Sequence, residues 1–213
     1  MIDIYGAGYI VDYYKSDEIK EELLGLNWIT KRTARHEYFM SDVERDYSYG
    51  AGSGAETYKS QPFSPLVKQL MEKINAEFHV NHNVCFLNKY DDEHQHLGWH
   101  ADDFDGMDHT QPISIVSYGA EREIWLKSKL GFKCSTCNGT GEEPLCPACN
   151  ECHGSLWVKS PPNGKQPADQ RVKLEEGSLF VMPMGYQYTH LHRIPKHDRP
   201  CGWRISLTFR TFT

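Results

Sequence analysis

No apolar run in the 213-residue sequence is longer than a β-strand, which is far short of the roughly 20 residues that a membrane-spanning helix needs. The first residues, MIDIYGAGYIVDYY, lack a basic segment followed by an apolar one, so no signal peptide is expected. We therefore expect a cytoplasmic protein without a membrane partner, or a nuclear one in a eukaryote. The net charge of −6 argues against a strongly basic nucleic-acid-binding surface, although a local basic patch stays open.

The composition, with 39% apolar and 24% charged residues, is that of a globular protein. The length suits one domain, or one domain with an elaboration. Five of the seven cysteines fall between Cys134 and Cys152, which favours a metal site in a reducing compartment over disulfides.

Two helices precede a series of strands. Ser16 is expected to cap a helix over DEIKEELLG that ends at Gly25, and Ser64 to cap a second helix that begins at Pro65. From residue 84 the pattern becomes that of short strands, namely VCFLNKY, ISIVSYG, REIWLKS, GSLFVMP and RISLTFRTF. Short strands between glycine and proline turns predict a β-sandwich or jelly roll.

The segment GWHADD, residues 98–103, is a candidate metal site. Residues two apart on a strand face the same way, so His100 and Asp102 can converge on one point. A second histidine from elsewhere would complete the two-histidine, one-carboxylate set that binds iron and leaves positions open. The alternative is a hydrogen-bonded loop without a metal.

The last strand, RISLTFR, separates charged from apolar side chains. One face carries Arg204, Ser206, Thr208 and Arg210, and the other carries Ile205, Leu207 and Phe209. The apolar face supplies core, so the two arginines would point inward and need anionic partners. A dicarboxylate could engage both guanidinium groups. The alternative is an outward, solvated strand face.

These motifs together resemble the AlkB family of Fe(II)- and 2-oxoglutarate-dependent dioxygenases. The similarity lies in LNKY, GWHADD, PISIVSYGAEREIWLK, GSLFVMP, HRIPK and RISLTFR, in that order. It implies a mainly β fold with flanking helices, the double-stranded β-helix. It also implies these roles: His100 and Asp102 as iron ligands, Asn88 and Tyr90 as polar contacts to 2-oxoglutarate, and Arg204 and Arg210 as its carboxylate partners.

The third iron ligand must come from YTHLHRIPK, where His190 and His192 can face the same way. The family pattern selects His192, which lies twelve residues before Arg204. One departure is Ser206, which stands where the family often has asparagine; a hydroxyl still donates and accepts, so cosubstrate binding is expected to be retained.

The resemblance implies oxidative demethylation of N-alkylated bases in DNA or RNA, with Fe(II), 2-oxoglutarate and dioxygen as cofactors. The predicted contacts to a base taken out of its stack are Tyr47, Tyr49, His100 and Asp103, and those to phosphates are Lys31, Arg32 and Arg35. Tyrosine clusters are otherwise ordinary packing, and short basic runs are ordinary surface.

The expected organisation is an N-terminal part, residues 1–83, with helices and a nucleotide-recognition lid, followed by the oxygenase core, residues 84–213. Residues 130–172 have too few apolar residues to form a core of their own, so we expect them to be an insertion that interrupts the oxygenase core. A monomer is expected. Two alternatives stay open: the same chemistry on a protein side chain, small molecule or other modified base, and a zinc-knuckle nucleic-acid-binding protein with an inactive oxygenase core.

The cysteines of the insertion have zinc-knuckle spacing. CSTCNGTG and CPACNECHG resemble the CxxCxG repeats of DnaJ-type co-chaperones over about twenty residues, without implying chaperone activity. The predicted ligands of one structural zinc are Cys134, Cys137, Cys149 and Cys152, with Cys146 as a possible substitute. Free or disulfide-bonded thiols are the alternative.

Overall fold

The computed structural model describes residues 2–4, 6–32, 34–49, 56–102, 106–129, 132–133, 157–158 and 170–213. Side chains are described for residues 6–31, 34–48, 56–102, 106–129 and 170–213. The strands are β1 (Ile2–Ile4), β2 (Ala7–Ile10), β3 (Ile29–Arg32), β4 (Arg35–Ser41), β5 (Tyr47–Tyr49), β6 (Glu56–Tyr58), β7 (Val84–Tyr90), β8 (Leu97–His100), β9 (Ile113–Gly119), β10 (Arg122–Ser128), β11 (Phe132–Lys133), β12 (Trp157–Val158), β13 (Gln170–Leu174), β14 (Leu179–Met182), β15 (His190–Ile194) and β16 (Arg204–Arg210). The helices are α1 (Asp17–Leu24), α2 (Pro65–Phe78) and the single turn α3 (Tyr186–Thr189).

Most strands belong to two antiparallel sheets. The large sheet has the order β1-β2-β14-β9-β16-β7-β4-β3, and the small sheet has the order β13-β10-β15-β8. Two short ladders, β5 with β6 and β11 with β12, stand apart from them. The inner faces of the two sheets share one hydrophobic cluster, with Phe86 and Phe180 from the large sheet and Leu126 and Val172 from the small one. This is the double-stranded β-helix expected from the sequence.

The helices cover the outer face of the large sheet. Ile19 and Leu23 of α1 and Leu70 of α2 pack in one buried cluster with Ile205 and Leu207 of β16. Strand β16 is buried on both faces. The apolar residues of RISLTFR face the helices, and its charged and hydroxyl residues face the space between the two sheets. None of the three described helices is long and apolar enough to cross a bilayer.

Both predicted helix starts are confirmed in position. The Ser16 hydroxyl accepts a hydrogen bond from the Ile19 backbone N–H at 3.3 Å, as a capping side chain does. Ser64 is the N-cap of α2 and Pro65 its first residue, but the Ser64 side chain makes no capping hydrogen bond. Pro65 lacks an N–H, so one donor of the first turn is already absent.

The five predicted strands appear as β7, β9, β10, β14 and β16. Strand pairing crosses two of the expected boundaries, the end of the insertion at residue 172 and the border between residues 83 and 84. Residues 170–172, placed by the sequence in the insertion, begin β13, which pairs with β10 in the small sheet. Strands before residue 84 also enter the large sheet, since β4 pairs with β7 and β2 pairs with β14. Strand pairing therefore joins the first 83 residues to the core.

Candidate metal centre and cosubstrate site

A cavity of about 320 Å³ lies between the two sheets. Its wall combines apolar residues from both sheets with polar residues. The polar residues that line it are Arg35, Asn88, Tyr90, His100, Asp102, His192, Arg204, Ser206, Thr208 and Arg210. All four charged or hydroxyl residues predicted on one face of the last strand are therefore in this wall.

His100, Asp102 and His192 form a compact cluster in the cavity. Their ligand atoms all lie within 4.8 Å of one another. His100 ends β8 and lies opposite His192 of β15 in the sheet register, and Asp102 follows two residues later. Asp102 Oδ1 is 3.8 Å from His100 Nε2, and its Oδ2 is 3.9 Å from His192 Nε2. Three ligand atoms from two adjacent strands thus converge on one point.

The two histidines are held in the form that binds a metal. His100 Nδ1 lies 2.8 Å from the carbonyl oxygen of Gly98, so Nδ1 carries the proton and the Nε2 lone pair faces the cluster. Burial, together with the neighbouring His100, lowers the pKa of His192 to about 3. Burial also lowers the pKa of His100. Both imidazoles are neutral at physiological pH, as ligation requires.

Asp102 is buried and ionised. Burial alone would raise the pKa of its carboxyl, but the charge of Arg210 and the two histidines outweigh that effect and hold the pKa below its ordinary value. Arg210 Nη2 forms an ion pair with Asp102 Oδ2 at 2.8 Å. The Asp102 backbone N–H donates to Gln187 Oε1 at 2.9 Å, which fixes the loop after β8.

His190 lies outside this cluster. Its ring stacks on Tyr186 with centroids 4.2 Å apart, and its Nδ1 is 2.8 Å from Thr189 Oγ1. The geometry therefore brings His192, and not His190, next to His100 and Asp102.

Arg204 forms the opposite end of the cavity. It is fully buried, and its Nη2 donates to Ser117 Oγ at 3.0 Å. Its Nε and Nη1 have no hydrogen-bond partner among the described residues, and neither does the hydroxyl of Tyr90, whose ring centroid is 5.6 Å from the Arg204 guanidinium carbon. Burial lowers the pKa of Arg204 to about 10, so the group still carries its charge at neutral pH. Unpaired buried donors beside a positive charge are the features of a carboxylate site.

A second buried arginine, Arg122, stands behind Tyr90, with its guanidinium carbon 5.6 Å from the ring centroid. It donates to three backbone carbonyls, those of Asp92 at 3.1 Å, Gln95 at 3.0 Å, and Pro195. The first two precede β8 and the third follows β15. Arg122 therefore ties together the loops beside the strands that carry His100 and His192.

Asn88 is oriented by a buried polar network. Arg35 Nε donates to Asn88 Oδ1 at 2.8 Å, and Arg35 is ion-paired with Glu37, which also accepts from the Tyr58 hydroxyl. This bond to the amide oxygen orients the Asn88 side chain, whose NH₂ group can donate to a ligand in the cavity. Arg35 was predicted to contact phosphates, but it is only 8% exposed and lies in the cavity wall, because alternate residues of β4 face inward.

The other residues predicted to contact the base or phosphates, and the predicted zinc ligands, fall into two groups: those whose side chains the structure describes and those outside the described residues. Tyr47 is buried against Phe39, Phe86 and Phe212, with centroids 5.0–5.9 Å away, and it also lines the cavity. Lys31 pairs with Glu56 at 3.0 Å. The side chains of Tyr49 and Arg32, Asp103, and the five cysteines of the insertion lie outside the described residues.

Sequence reasoning missed Arg122, Glu37 and Gln187. Arg122 begins a strand that was predicted, but a charged residue at a strand end is ordinary surface until the loops around it are known. Glu37 occupies an inward position of β4, but RHEYFMS does not alternate apolar with polar residues, so no sequence signal could have identified it.

A family model and the related proteins both point to the 2OG-Fe(II) oxygenases. The model of the 2OG-Fe(II) oxygenase superfamily matches residues 21–210. The chain is 31% identical over 177 residues to DNA oxidative demethylase ALKBH2 of Arabidopsis thaliana, covering 78% of this chain and 52% of the plant protein. It is 23% identical over 205 residues to DNA oxidative demethylase ALKBH2 of Homo sapiens, covering 92% and 68%. This chain thus spans about half the length of the plant relative and two thirds of the human one.

The solved structure of OsALKBH1 has the same fold. It superposes with a TM-score of 0.60 over 97% of this chain and 96% of that one, at 14% sequence identity. At that identity the likeness concerns the fold alone.

Proposed function

The chain belongs to the 2OG-Fe(II) oxygenase superfamily, and from that premise we propose that it oxidatively demethylates N-alkylated bases in DNA or RNA. The observation that carries the oxygenase part is one cavity with the His100, Asp102 and His192 cluster at one place and the unpaired donors of Arg204 at another. The family implies Fe(II), 2-oxoglutarate and dioxygen as its cofactors.

The cluster fits the iron. Two neutral imidazoles and one ionised carboxylate form the set that binds Fe(II) on one side, leaving its other positions for cosubstrate and dioxygen. We assign His100 and His192, through Nε2, and Asp102 as the ligands. Bound iron supplies the oxidation of a substrate C–H bond at the expense of 2-oxoglutarate and dioxygen. Arg210 and Gln187 keep Asp102 in place through the ion pair and the hydrogen bond described above.

The cosubstrate fits the remaining polar groups. Arg204 Nε and Nη1 and the Tyr90 hydroxyl would bind the distal carboxylate of 2-oxoglutarate, in a buried place where charge-assisted hydrogen bonds are strong. Arg210 Nε and Nη1 are also buried without partners among the described residues, so Arg210 has donors left after its bond to Asp102. Asn88 and Ser206, opposite each other in the β7–β16 register, complete the polar wall.

The proposed substrate follows from the relatives. Those of Arabidopsis and human are named DNA oxidative demethylases, and a third, human alkB homolog 3, is named an alpha-ketoglutarate-dependent dioxygenase and is 26% identical over 214 residues. In the proposed reaction an N-methyl group takes up one oxygen atom and leaves as formaldehyde. The other oxygen atom ends in succinate, with carbon dioxide as coproduct. We propose Tyr47, Tyr49 and Asp103 as contacts to the base, and we assign Arg35 to the cavity wall rather than to phosphates.

We also propose that Cys134, Cys137, Cys149 and Cys152 hold one structural zinc, with Cys146 as the possible substitute. The support is their spacing in the sequence. Reduced protein should contain about one zinc per chain besides the catalytic metal. Metal analysis that finds none would contradict this assignment. The monomeric state and cytoplasmic location stay predictions from the sequence.

The direct test is a mass measurement. Oligonucleotides that carry 1-methyladenine or 3-methylcytosine, as DNA and as RNA, are incubated with the full chain, Fe(II), ascorbate and 2-oxoglutarate. We expect a mass loss of one methylene from a methylated strand, matched by succinate formation, and no change in the unmethylated strand. Succinate formation without any mass loss would favour a protein or small-molecule substrate. Absence of both in iron-loaded protein would favour an inactive oxygenase core.

A further inference from the structure

The outer face of the small sheet carries a row of alternating arginine and tryptophan side chains, one from each strand. We call it the Arg–Trp ladder, and its members are Arg171 of β13, Trp125 of β10, Arg193 of β15 and Trp99 of β8. Trp125 lies opposite both arginines in the sheet register. The guanidinium carbons of Arg171 and Arg193 are each 4.1 Å from the Trp125 ring centroid, and that of Arg193 is 5.0 Å from Trp99. The ladder therefore crosses the whole sheet.

The ladder faces away from the cavity. On β10 the flanking residues Ile124 and Leu126 are buried between the sheets, whereas Trp125 is half-buried and Arg171 is exposed. Strand β15 carries His192 on its inner face and Arg193 on the next position, which faces out. The same strands thus present the iron-binding cluster on one side and the ladder on the other.

The two arginines have no described carboxylate as a partner. Neither forms a salt bridge with any residue that the structure describes, and the Nε of Arg193 is buried without a hydrogen-bond partner. Burial and the like charge of Arg171 lower the pKa of Arg193. Two guanidinium groups on either side of one indole therefore leave positive charge unmatched at this surface.

Neighbouring side chains do not cancel this charge. Lys127 adds a cation, with its Nζ 4.6 Å from the Trp99 ring centroid. Of the nearby carboxylates, Glu121 is paired with Lys173, and Glu123 keeps its charge while it accepts the neutral Trp125 indole N–H at 2.7 Å. Four cations, Arg171, Arg193, Lys127 and Lys173, thus stand against two carboxylates, a surplus of two positive charges. On a chain of net charge −6 this face is a local basic patch.

The chemistry of the ladder suits phosphate. Stacking on tryptophan holds each guanidinium plane in place while its N–H edge stays available, which lowers the ordering cost of binding an anion. Two such groups, on β13 and β15 with β10 between them, match an extended polyanion better than a single small anion. Base readout is not required of it, because contacts to phosphate fix position and carry no sequence information.

We propose that the Arg–Trp ladder binds the phosphate backbone of the nucleic acid, on the part of the strand that continues beyond the base held in the cavity. This rests on the proposed function for the identity of the polymer. The competing interpretation is that the ladder only stabilises the small sheet, in which case its charge has no effect on binding.

The test is equilibrium binding by fluorescence anisotropy, with the full chain and without turnover. The probe is a labelled single-stranded DNA of about 20 nucleotides with one 1-methyladenine, compared with a trinucleotide that carries the same base. For Arg171→Gln we expect about fivefold weaker binding of the long strand and a salt dependence shallower by about one unit of slope. Binding of the trinucleotide should not change. Arg171→Lys, which keeps the charge, should restore most of the affinity.

The matched control is Lys73→Gln, which removes one charge from α2 on the other side of the large sheet. It should leave both affinities unchanged. Equal affinities and salt slopes for Arg171→Gln and the unsubstituted protein, with equal unfolding temperatures, would overturn the proposal. So would complete displacement of the long strand by poly-glutamate at the same charge concentration, since the surface would then be a general acidic-peptide site.

These outcomes are separable from failure of the proposed function. Loss of affinity in Arg171→Gln in a protein that demethylates nothing supports the ladder and contradicts the demethylase. Unchanged affinity in a protein that demethylates contradicts the ladder alone.

Discussion

Arg210 Nη2 lies 2.8 Å from Asp102 Oδ2, and both side chains are buried. Strand β16, the last strand of the chain, therefore supports the carboxylate of Asp102, which follows β8 of the small sheet. The same guanidinium keeps two further donors, Nε and Nη1, without partners in the described part of the chain. One residue thus connects the proposed metal ligand to the proposed cosubstrate site.

Replacing Arg210 by Met should weaken metal binding. Asp102 would lose the ion pair that orients it and the charge that keeps it ionised, and outer partners of this kind contribute about 10- to 100-fold in metal affinity. Titration with Co(II), followed by its visible absorption, measures the effect in the absence of 2-oxoglutarate. The control is Arg204→Met, which removes an equal charge without touching Asp102 and should keep the affinity. Equal affinities for both variants would contradict the role of Arg210.

The assignment of His192 over His190 gives a second prediction. His192→Ala should abolish 2-oxoglutarate turnover, because it removes one of three ligands that lie within 4.8 Å of one another. His190→Ala should leave iron bound, because its ring stacks on Tyr186 outside that cluster. Iron content and succinate formation are the measurements. The opposite pattern in the two variants would show that the wrong histidine has been chosen.

Replacing Arg204 by Met should act on 2-oxoglutarate alone. The variant loses the buried charge that would bind the distal carboxylate, and hydrogen bonds to charged groups contribute about 1.5–3 kcal/mol each. The KM for 2-oxoglutarate should therefore rise by about 10- to 100-fold. Steady-state succinate formation gives the KM, and Co(II) affinity is the control. An unchanged KM would place the cosubstrate elsewhere.

The sequence predicted the central strands well because their patterns are local. RISLTFR alternates charged and apolar residues, and the structure places the first set in the cavity and the second against the helices. VCFLNKY and ISIVSYG are strand-length apolar runs between breaks. Their short length, the breaks around them and their β-branched and aromatic residues identify these runs as strands.

Strand β4 escaped prediction because its pattern depends on distant partners. RHEYFMS places Arg35 and Glu37 inward, and they are tolerated there because they pair with each other and with Asn88 and Tyr58. Before those partners are known, inward charges read as a surface segment. Because KRTARH looks like a basic surface segment in the sequence, it predicts phosphate contacts for Arg35, which the structure places in the cavity wall. Strand β13 escaped likewise, since Arg171 and Lys173 alternate with only two buried residues, Val172 and Leu174.

In the site, too, local motifs could be predicted from the sequence, and contacts between distant segments could not. The pair in GWHADD could be located from spacing, but the choice between His190 and His192 needed either a family pattern or coordinates. Arg122 could not be located, since its role comes from three carbonyls in loops that precede β8 and follow β15.

The final prediction concerns pH and His82, which is 2% exposed and does not line the cavity. Its Nε2 is 3.0 Å from Ser114 Oγ, and burial lowers the pKa of the ring to about 4 from the ordinary value of 6.5. Between those values the unfolded chain binds a proton that the folded chain does not. The stability due to the neutral ring is therefore fully present above pH 6.5 and is lost as pH falls toward 4.

We expect this residue to remove about 2 kcal/mol of the free energy of unfolding between about pH 7 and pH 5. Urea unfolding at several pH values measures the slope. His82→Asn should be less stable at neutral pH but should lose less stability on acidification, because Asn does not titrate. The control is His94→Gln, which removes a 77% exposed histidine and should keep the slope of the unsubstituted protein. If His82→Asn keeps that slope too, His82 is not the group that makes the fold sensitive to acid.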